Sequence, residues 1–120
     1  MILKENYMLS NGVKIPKLGL GTWFINDEDA SGAVKDALAA GYRHIDTAQA
    51  YQNERGVGEG VRTCGMQRED LFVTTKLAAE VKSHDEAVES IDTSLKTLGL
   101  DYIDMMIIHS PRPLDGISQK

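Results

Sequence analysis

Residues 71–108 read LFVTTKLAAEVKSHDEAVESIDTSLKTLGLDYIDMMII, and this stretch decides the class of fold. It opens on an apolar, β-prone run at 71–75. Ser83-His84-Asp85-Glu86 then has the form of a capping box, a serine at the N-cap with an acidic residue three positions on. Behind it Ala87, Val88, Ile91, Leu95 and Leu98 recur at helical spacing, which predicts a helix with these residues on one face. Gly99 supplies the left-handed residue that closes such a helix. The stretch ends on 102–108, a nearly continuous apolar run of the kind expected where both faces of a strand are covered.

Upstream the same unit recurs. Residues 42–47 form a strand candidate, followed by a loop through Tyr51 and a helix from about 53 to 63 that carries Val57 and Val61. Before it, 18–23 (LGLGTW) reads as a short strand, with Asn26 or Asp27 as N-cap and acidic residues in the first turn of the following helix. Ala30, Ala33, Val34, Ala37 and Leu38 give that helix its buried face, and Gly41 its C-terminal stop. At the start, 7–16 surrounds Asn11-Gly12, the dipeptide of a tight hairpin turn. Strands alternating with helices require right-handed crossovers and a parallel sheet, so the class is α/β. An open doubly wound sheet and part of a closed barrel both satisfy the pattern. The chain reads as one domain, without linker or low-complexity tract.

Composition narrows the partners. Thirteen Lys and Arg against eighteen Asp and Glu leave a formal charge of −5, no basis for gripping nucleic acid or an anionic membrane. The single cysteine, Cys64, excludes an internal disulfide and cysteine-pair metal ligation, which fits a reducing cytoplasm; no metal site is expected. Met1-Ile2-Leu3 gives way at once to Lys4-Glu5-Asn6, too little apolar sequence for a signal peptide.

In parallel architectures active sites gather at the C-terminal ends of the strands. The ionisable residues expected there are Asp46, Tyr51 in the loop after it, Lys76 and His109. A tyrosine is a poor acid at neutral pH unless a nearby cation stabilises its phenolate. Lys76 is placed to be that cation, Asp46 to hold it charged, and His109 to bond the same substrate oxygen. Such an array suits proton donation to a carbonyl, and because no side chain donates hydride a cofactor is implied. Each residue alone also has a plain structural reading: a strand-end cap, a half-buried aromatic, a solvated terminus, and a satisfied histidine beside Pro111.

The stretches 18–23, 41–48 with Tyr51-Gln52-Asn53-Glu54, 70–76, and 100–104 through His109-Ser110-Pro111 resemble the aldo-keto reductase family, in its own order. The resemblance covers 7–113, nearest the bacterial branch that includes 2,5-diketogluconate reductases, while 114–120 diverge. It implies the N-terminal half of a (β/α)8 TIM barrel, a hairpin across its bottom and NADPH, or NADH, across its top. The implied activity is reduction of aldehydes and ketones to alcohols. Asp46, Tyr51, Lys76 and His109 map onto the family's catalytic four, with Tyr51 the proton donor. Trp23 and His109 map onto the substrate pocket, and Thr22, Trp23 and Asp46 onto the cofactor site.

Gly56, Gly58 and Gly60 do not directly follow a strand and lack the full dinucleotide fingerprint, so close helix packing is expected of them. A complete barrel takes about 250 residues. The expectation is therefore a half-barrel inactive alone, with an exposed sheet edge prone to self-association. A noncatalytic half-barrel paired with itself or another chain is the rival, and a small doubly wound binding domain a third reading.

Overall fold

The computed structural model describes residues 6–8, 14–16, 18–77 and 83–108. β1 (Asn6–Met8) and β2 (Lys14–Pro16) pair antiparallel, as a leading hairpin requires, while Asn11-Gly12 lies outside the described residues. The chain then forms β3 (Gly19–Gly21), α1 (Asp27–Ala39), β4 (His44–Asp46), α2 (Glu54–Thr63), β5 (Phe72–Leu77), α3 (His84–Leu98) and β6 (Met105–Ile108).

Strand order chooses between the two α/β architectures that the sequence leaves open. The sheet runs β3-β4-β5-β6 with every neighbour parallel, so neighbours in sequence are neighbours in space. α1 packs on α2 and α2 on α3. A doubly wound sheet reverses its order and sends helices to both faces. A singly wound run with its helices side by side is how a βα barrel is built.

Period-two alternation sorts the strand residues. Ile45 and Val73 turn toward the helices and pack with Ala30, Val34, Leu38, Val57, Val61 and Leu98. Burial of each valine, leucine or isoleucine among them contributes roughly 1.5–3 kcal/mol. His44, Asp46, Thr74 and Lys76 fall on the opposite parity, away from that core. There His44 bonds Thr74 Oγ1 at 2.8 Å and meets Phe72 edge-on, a packed strand histidine as expected.

The glycines of α2 are packing residues. A Cβ on Gly56 would stand 2.1 Å from the Asp27 carbonyl oxygen, one on Gly58 1.9 Å from that of Leu98, and one on Gly60 2.8 Å from Val34 Cβ. α2 is thereby drawn tightly against both neighbours. Helix ends follow their sequence signals. Gly41 at φ 111° closes α1 with its own N–H on the Leu38 carbonyl (3.1 Å) and that of Tyr42 on Ala37 (3.0 Å). Ser83 Oγ accepts from Glu86 N at 3.1 Å to start α3, and Gly99 at φ 72° ends it.

Three expectations need revision. β3 stops at Gly21, and Trp23 sits beyond it in a turn closed by Ile25 N–H on the Thr22 carbonyl at 3.0 Å. β6 begins at Met105 rather than 102: Asp104 N–H still donates to the Val73 carbonyl at 3.0 Å, but the Val73 N–H goes to the Asp104 carboxylate at 2.8 Å, which also pairs with Arg68 at 2.8 Å. On α3, Val88 is 47% exposed, whereas Ser94 is fully buried with Leu98. The inward face of that helix is partly polar, for a reason found at the site.

No helix among the described residues is long and apolar enough to cross a membrane, and no group of His, Cys, Asp or Glu there could hold a metal ion.

Candidate active site

Asp46 ends β4, and its register partner on β5 is Thr74. Lys76 stands two residues further along, which returns it to the same side of the sheet at the same end. Lys76 Nζ donates to both Asp46 oxygens at 2.8 Å, lies 3.3 Å from the Tyr51 hydroxyl and reaches the Thr47 carbonyl at 3.4 Å. The Lys76 side chain is 16% exposed and that of Asp46 33%. An ammonium largely removed from water is thus neutralised by a carboxylate and faces a phenol.

Tyr51 belongs to a single 3-10 turn, Gln49–Tyr51, ended by Gln52 at φ 59°. The turn is fastened to α3 by Gln49, whose Nε2 donates to the Ser90 carbonyl at 3.0 Å and the Ser94 hydroxyl at 2.8 Å. Ser90 Oγ in return donates to Gln49 Oε1 at 3.1 Å. Glu54, 6% exposed, accepts from Thr75 Oγ1 at 2.6 Å and from Ser94 Oγ at 2.9 Å. These bonds explain the polar inward face of α3, since a buried carboxylate and amide must find donors and acceptors.

Asn53 precedes α2 as its N-cap but makes no capping bond. Its fully buried side chain instead donates to the Thr22 carbonyl at 2.8 Å and the Ile25 carbonyl at 3.0 Å, and accepts from Thr47 Oγ1 at 2.6 Å. The cap comes from another helix. Asp27, in the first turn of α1, accepts the Gly56 N–H at 2.7 Å and Arg55 Nε at 2.6 Å. Burial pushes the Asp27 carboxyl up, but its hydrogen bonds to Arg55 and Gly56 outweigh that and hold it below the ordinary value.

Trp23 is 63% exposed, with its ring 6.4 Å from that of Tyr51 at an interplanar angle of 21°. Thr22 is fully buried, its hydroxyl donating to the Asp46 carbonyl at 3.0 Å, so it borders the site by fixing Asp46. The structure therefore gathers Asp46, Tyr51, Lys76, Trp23 and Thr22 at one rim. His109 lies outside the described residues. Sequence reasoning passed over Gln49, Asn53, Glu54, Ser90 and Ser94 as positioning groups. The available signal was Ser90 and Ser94, four apart on the inner side of an amphipathic helix.

A singly wound parallel sheet, with a carboxylate, an ammonium and a phenol gathered at the C-terminal ends of its strands, defines the chain as a portion of a βα barrel. Residues 17–118 match the aldo/keto reductase family, and the chain belongs to that family. It is 50% identical over 107 residues to glycerol 2-dehydrogenase (NADP(+)) of Saccharomyces cerevisiae, covering 89% of this chain and 34% of that protein. With the glyoxal reductase of Bacillus subtilis it shares 43% identity over 110 residues, 91% of this chain and 40% of the relative. An aldo/keto reductase from Brucella melitensis superposes with a TM-score of 0.87 at 47% identity, over 91% of this chain and 42% of its own. A silkworm (Bombyx mori) aldo-keto reductase solved in complex with NADP gives 0.80 at 41% identity, over 87% and 37%. The chain thus spans about two fifths or less of the relatives it matches.

Proposed function

We propose that this chain carries the acid–base end of an NADPH-dependent carbonyl reductase. The observation that carries the reading is the run of contacts from Asp46 through Lys76 to Tyr51, at 2.8 and 3.3 Å. Tyr51 donates its proton to the carbonyl oxygen of an aldehyde or ketone. The phenolate left behind is stabilised by the Lys76 ammonium, whose own charge is balanced by Asp46. Solvent then returns the proton to Tyr51.

The cofactor, when bound, supplies the hydride that adds to the carbonyl carbon. The residues at the rim fit the reactive end of such a group: the exposed indole of Trp23 would border it and Asp46, fixed by Thr22, would stand at its polar side. NADPH is favoured because the yeast relative's name and the silkworm structure both carry NADP. His109, by the sequence resemblance, orients the carbonyl. The name of the Bacillus glyoxal reductase supports a small carbonyl compound as substrate.

The test is oxidation of NADPH, followed by absorbance, with methylglyoxal, 4-nitrobenzaldehyde and a simple ketone. It is run on the chain alone and on the chain joined to the C-terminal remainder of the Brucella melitensis relative. Tyr51-dependent turnover in the joined protein is expected, with little from the chain alone. No turnover of any carbonyl by the joined protein, once it is shown to be folded, overturns the reading.

A second reading rests on the sheet edges. Among the described residues β3 and β6 each have a neighbour on one side only, and Ile107 of β6 is 40% exposed. Such an edge pairs with another chain. A stable dimer in sedimentation, without affinity for NADPH, favours that noncatalytic half-barrel; a monomer with NADPH affinity removes it.

A further inference from the structure

Tyr51 belongs to no long element. It is carried by residues 49–54: a single 3-10 turn, the left-handed Gln52 and the entry to α2. So short a segment does not by itself hold a phenol against a neighbouring strand, yet the Tyr51 hydroxyl stands 3.3 Å from Lys76 Nζ on β5. The alignment is imposed from α3.

Both ends of the segment meet at one hydroxyl. At its start Gln49 Nε2 donates to Ser94 Oγ at 2.8 Å, and at its end Glu54 accepts from the same Ser94 Oγ, at 2.9 Å on Oε2 and 3.2 Å on Oε1. The directions are fixed. Gln49 Nε2 also donates to the Ser90 carbonyl at 3.0 Å, which can only accept, and Gln49 Oε1 takes the Ser90 hydroxyl at 3.1 Å, so the amide has one orientation. The Ser94 proton is left for the carboxylate. Glu54 accepts in addition from Thr75 Oγ1 at 2.6 Å, and Thr75 precedes Lys76 on β5. The segment bearing the phenol and the strand bearing the ammonium are thereby held in one frame.

Ser94 behaves unlike its neighbour. A serine or threonine inside a helix commonly turns its hydroxyl back to the carbonyl four residues earlier, as Thr93 does onto Glu89 at 3.0 Å. Ser94 is fully buried and bonds instead to Gln49 and Glu54, 45 and 40 positions away. Further barrel strands cannot reduce that burial, so the tie belongs to any longer chain as well.

We propose that Ser94 is a positioning residue: one buried hydroxyl on α3 closes the two ends of segment 49–54 and so keeps the Tyr51 phenol against Lys76. The inference rests on the carbonyl-reductase reading above. Its effect on turnover passes through Tyr51, because a proton donor displaced by about 1 Å from its acceptor loses much of its rate advantage.

The experiment compares wild type, Ser94→Ala, Ser94→Cys and Thr93→Ala in the joined protein, each with Tyr51 and with Tyr51→Phe. Expected for Ser94→Ala is a kcat lower by about tenfold to hundredfold, with KM changed by less than about threefold. In the Tyr51→Phe background the same change lowers kcat by less than about twofold, since the group it positions is gone. Ser94→Cys, similar in size but a weak donor and acceptor, falls between, and it decides the matter should Ser94→Ala not fold. Thr93→Ala, on the same helix, leaves both backgrounds as they were. Amide hydrogen exchange, read by mass spectrometry, is expected to quicken in peptides spanning 49–54 of Ser94→Ala and not in those of α1. Equal losses of kcat in the two backgrounds, wild-type kcat in Ser94→Ala, or exchange that quickens everywhere or nowhere overturns the inference. If the wild-type joined protein turns over no carbonyl, the reductase reading falls, and the exchange comparison alone decides whether Ser94 holds the Tyr51 segment.

Discussion

The ammonium of Lys76 is shared evenly by the two carboxylate oxygens of Asp46, each 2.8 Å away. Lys76 is the more buried of the two, and the register of β4 and β5 sets them side by side. Two positions of offset between adjacent parallel strands put both side chains on one face, at the end where Tyr51 turns back.

Removing the cation should therefore cost function more than fold. Lys76→Met in the joined protein is expected to lower carbonyl turnover by about 10²–10⁴-fold, the usual contribution of positioned acid–base chemistry. Because the change strands Asp46 without its partner, Asp46→Asn together with Lys76→Met should be more resistant to urea than Lys76→Met alone. Turnover of the single variant close to wild type would remove Lys76 from the chemistry.

Tyr51→Phe keeps the ring beside Trp23 and deletes only the hydroxyl that faces Lys76. The expected loss is again about 10²–10⁴ in kcat, with KM changed by less than about threefold. A rise in KM at constant kcat would mean that the hydroxyl serves binding and not proton donation.

Asp27 should matter to stability and to acid tolerance. It caps α2 from α1, and Asp27→Ala is expected to cost about 1 kcal/mol, read as a shift in the urea midpoint. Its carboxyl is held below the ordinary 3.8 in the folded chain. An unfolded chain therefore takes up that proton first as pH falls, so the contribution is complete above the ordinary value and disappears as pH drops through the depressed one. Midpoints of wild type and Asp27→Asn should differ at neutral pH and converge in acid. A constant gap down to the lowest pH would contradict this account.

Glycine substitutions provide a contrast within one fold. Gly58→Ala drives a methyl into the Leu98 carbonyl and should destabilise by about 1–3 kcal/mol as α2 and α3 part. Gly32, inside α1 with nothing within 4 Å of its would-be Cβ, should gain roughly 0.5–1 kcal/mol as alanine. Thermal melts of the two variants would shift in opposite directions; a fall for both would mean that Gly32 also answers to packing.

Much of the chain was legible before folding because its signals are local. Gly41, Ser83 and Gly99 stop or start helices through bonds reaching three to five residues, so their roles follow from their neighbours alone. Asp46, Tyr51 and Lys76 could be placed at one rim because parallel strands must present their C-terminal ends together. The sequence by itself thus determined the βα alternation, the sheet's direction and the meeting of Asp46, Tyr51 and Lys76 at one end of it. Tertiary structure alone decided the rest. Whether the sheet is singly or doubly wound depends on strand order, which no local pattern encodes. Asn53 carries every mark of an N-cap, yet it points inward because Asp27, far back in the chain, already satisfies the α2 N-terminus. Ser90 and Ser94 read as breaks in an apolar stripe until Gln49 and Glu54 are brought against them. In each case the deciding partner is distant in sequence, and a buried polar group is satisfied by whatever folding brings within about 3 Å.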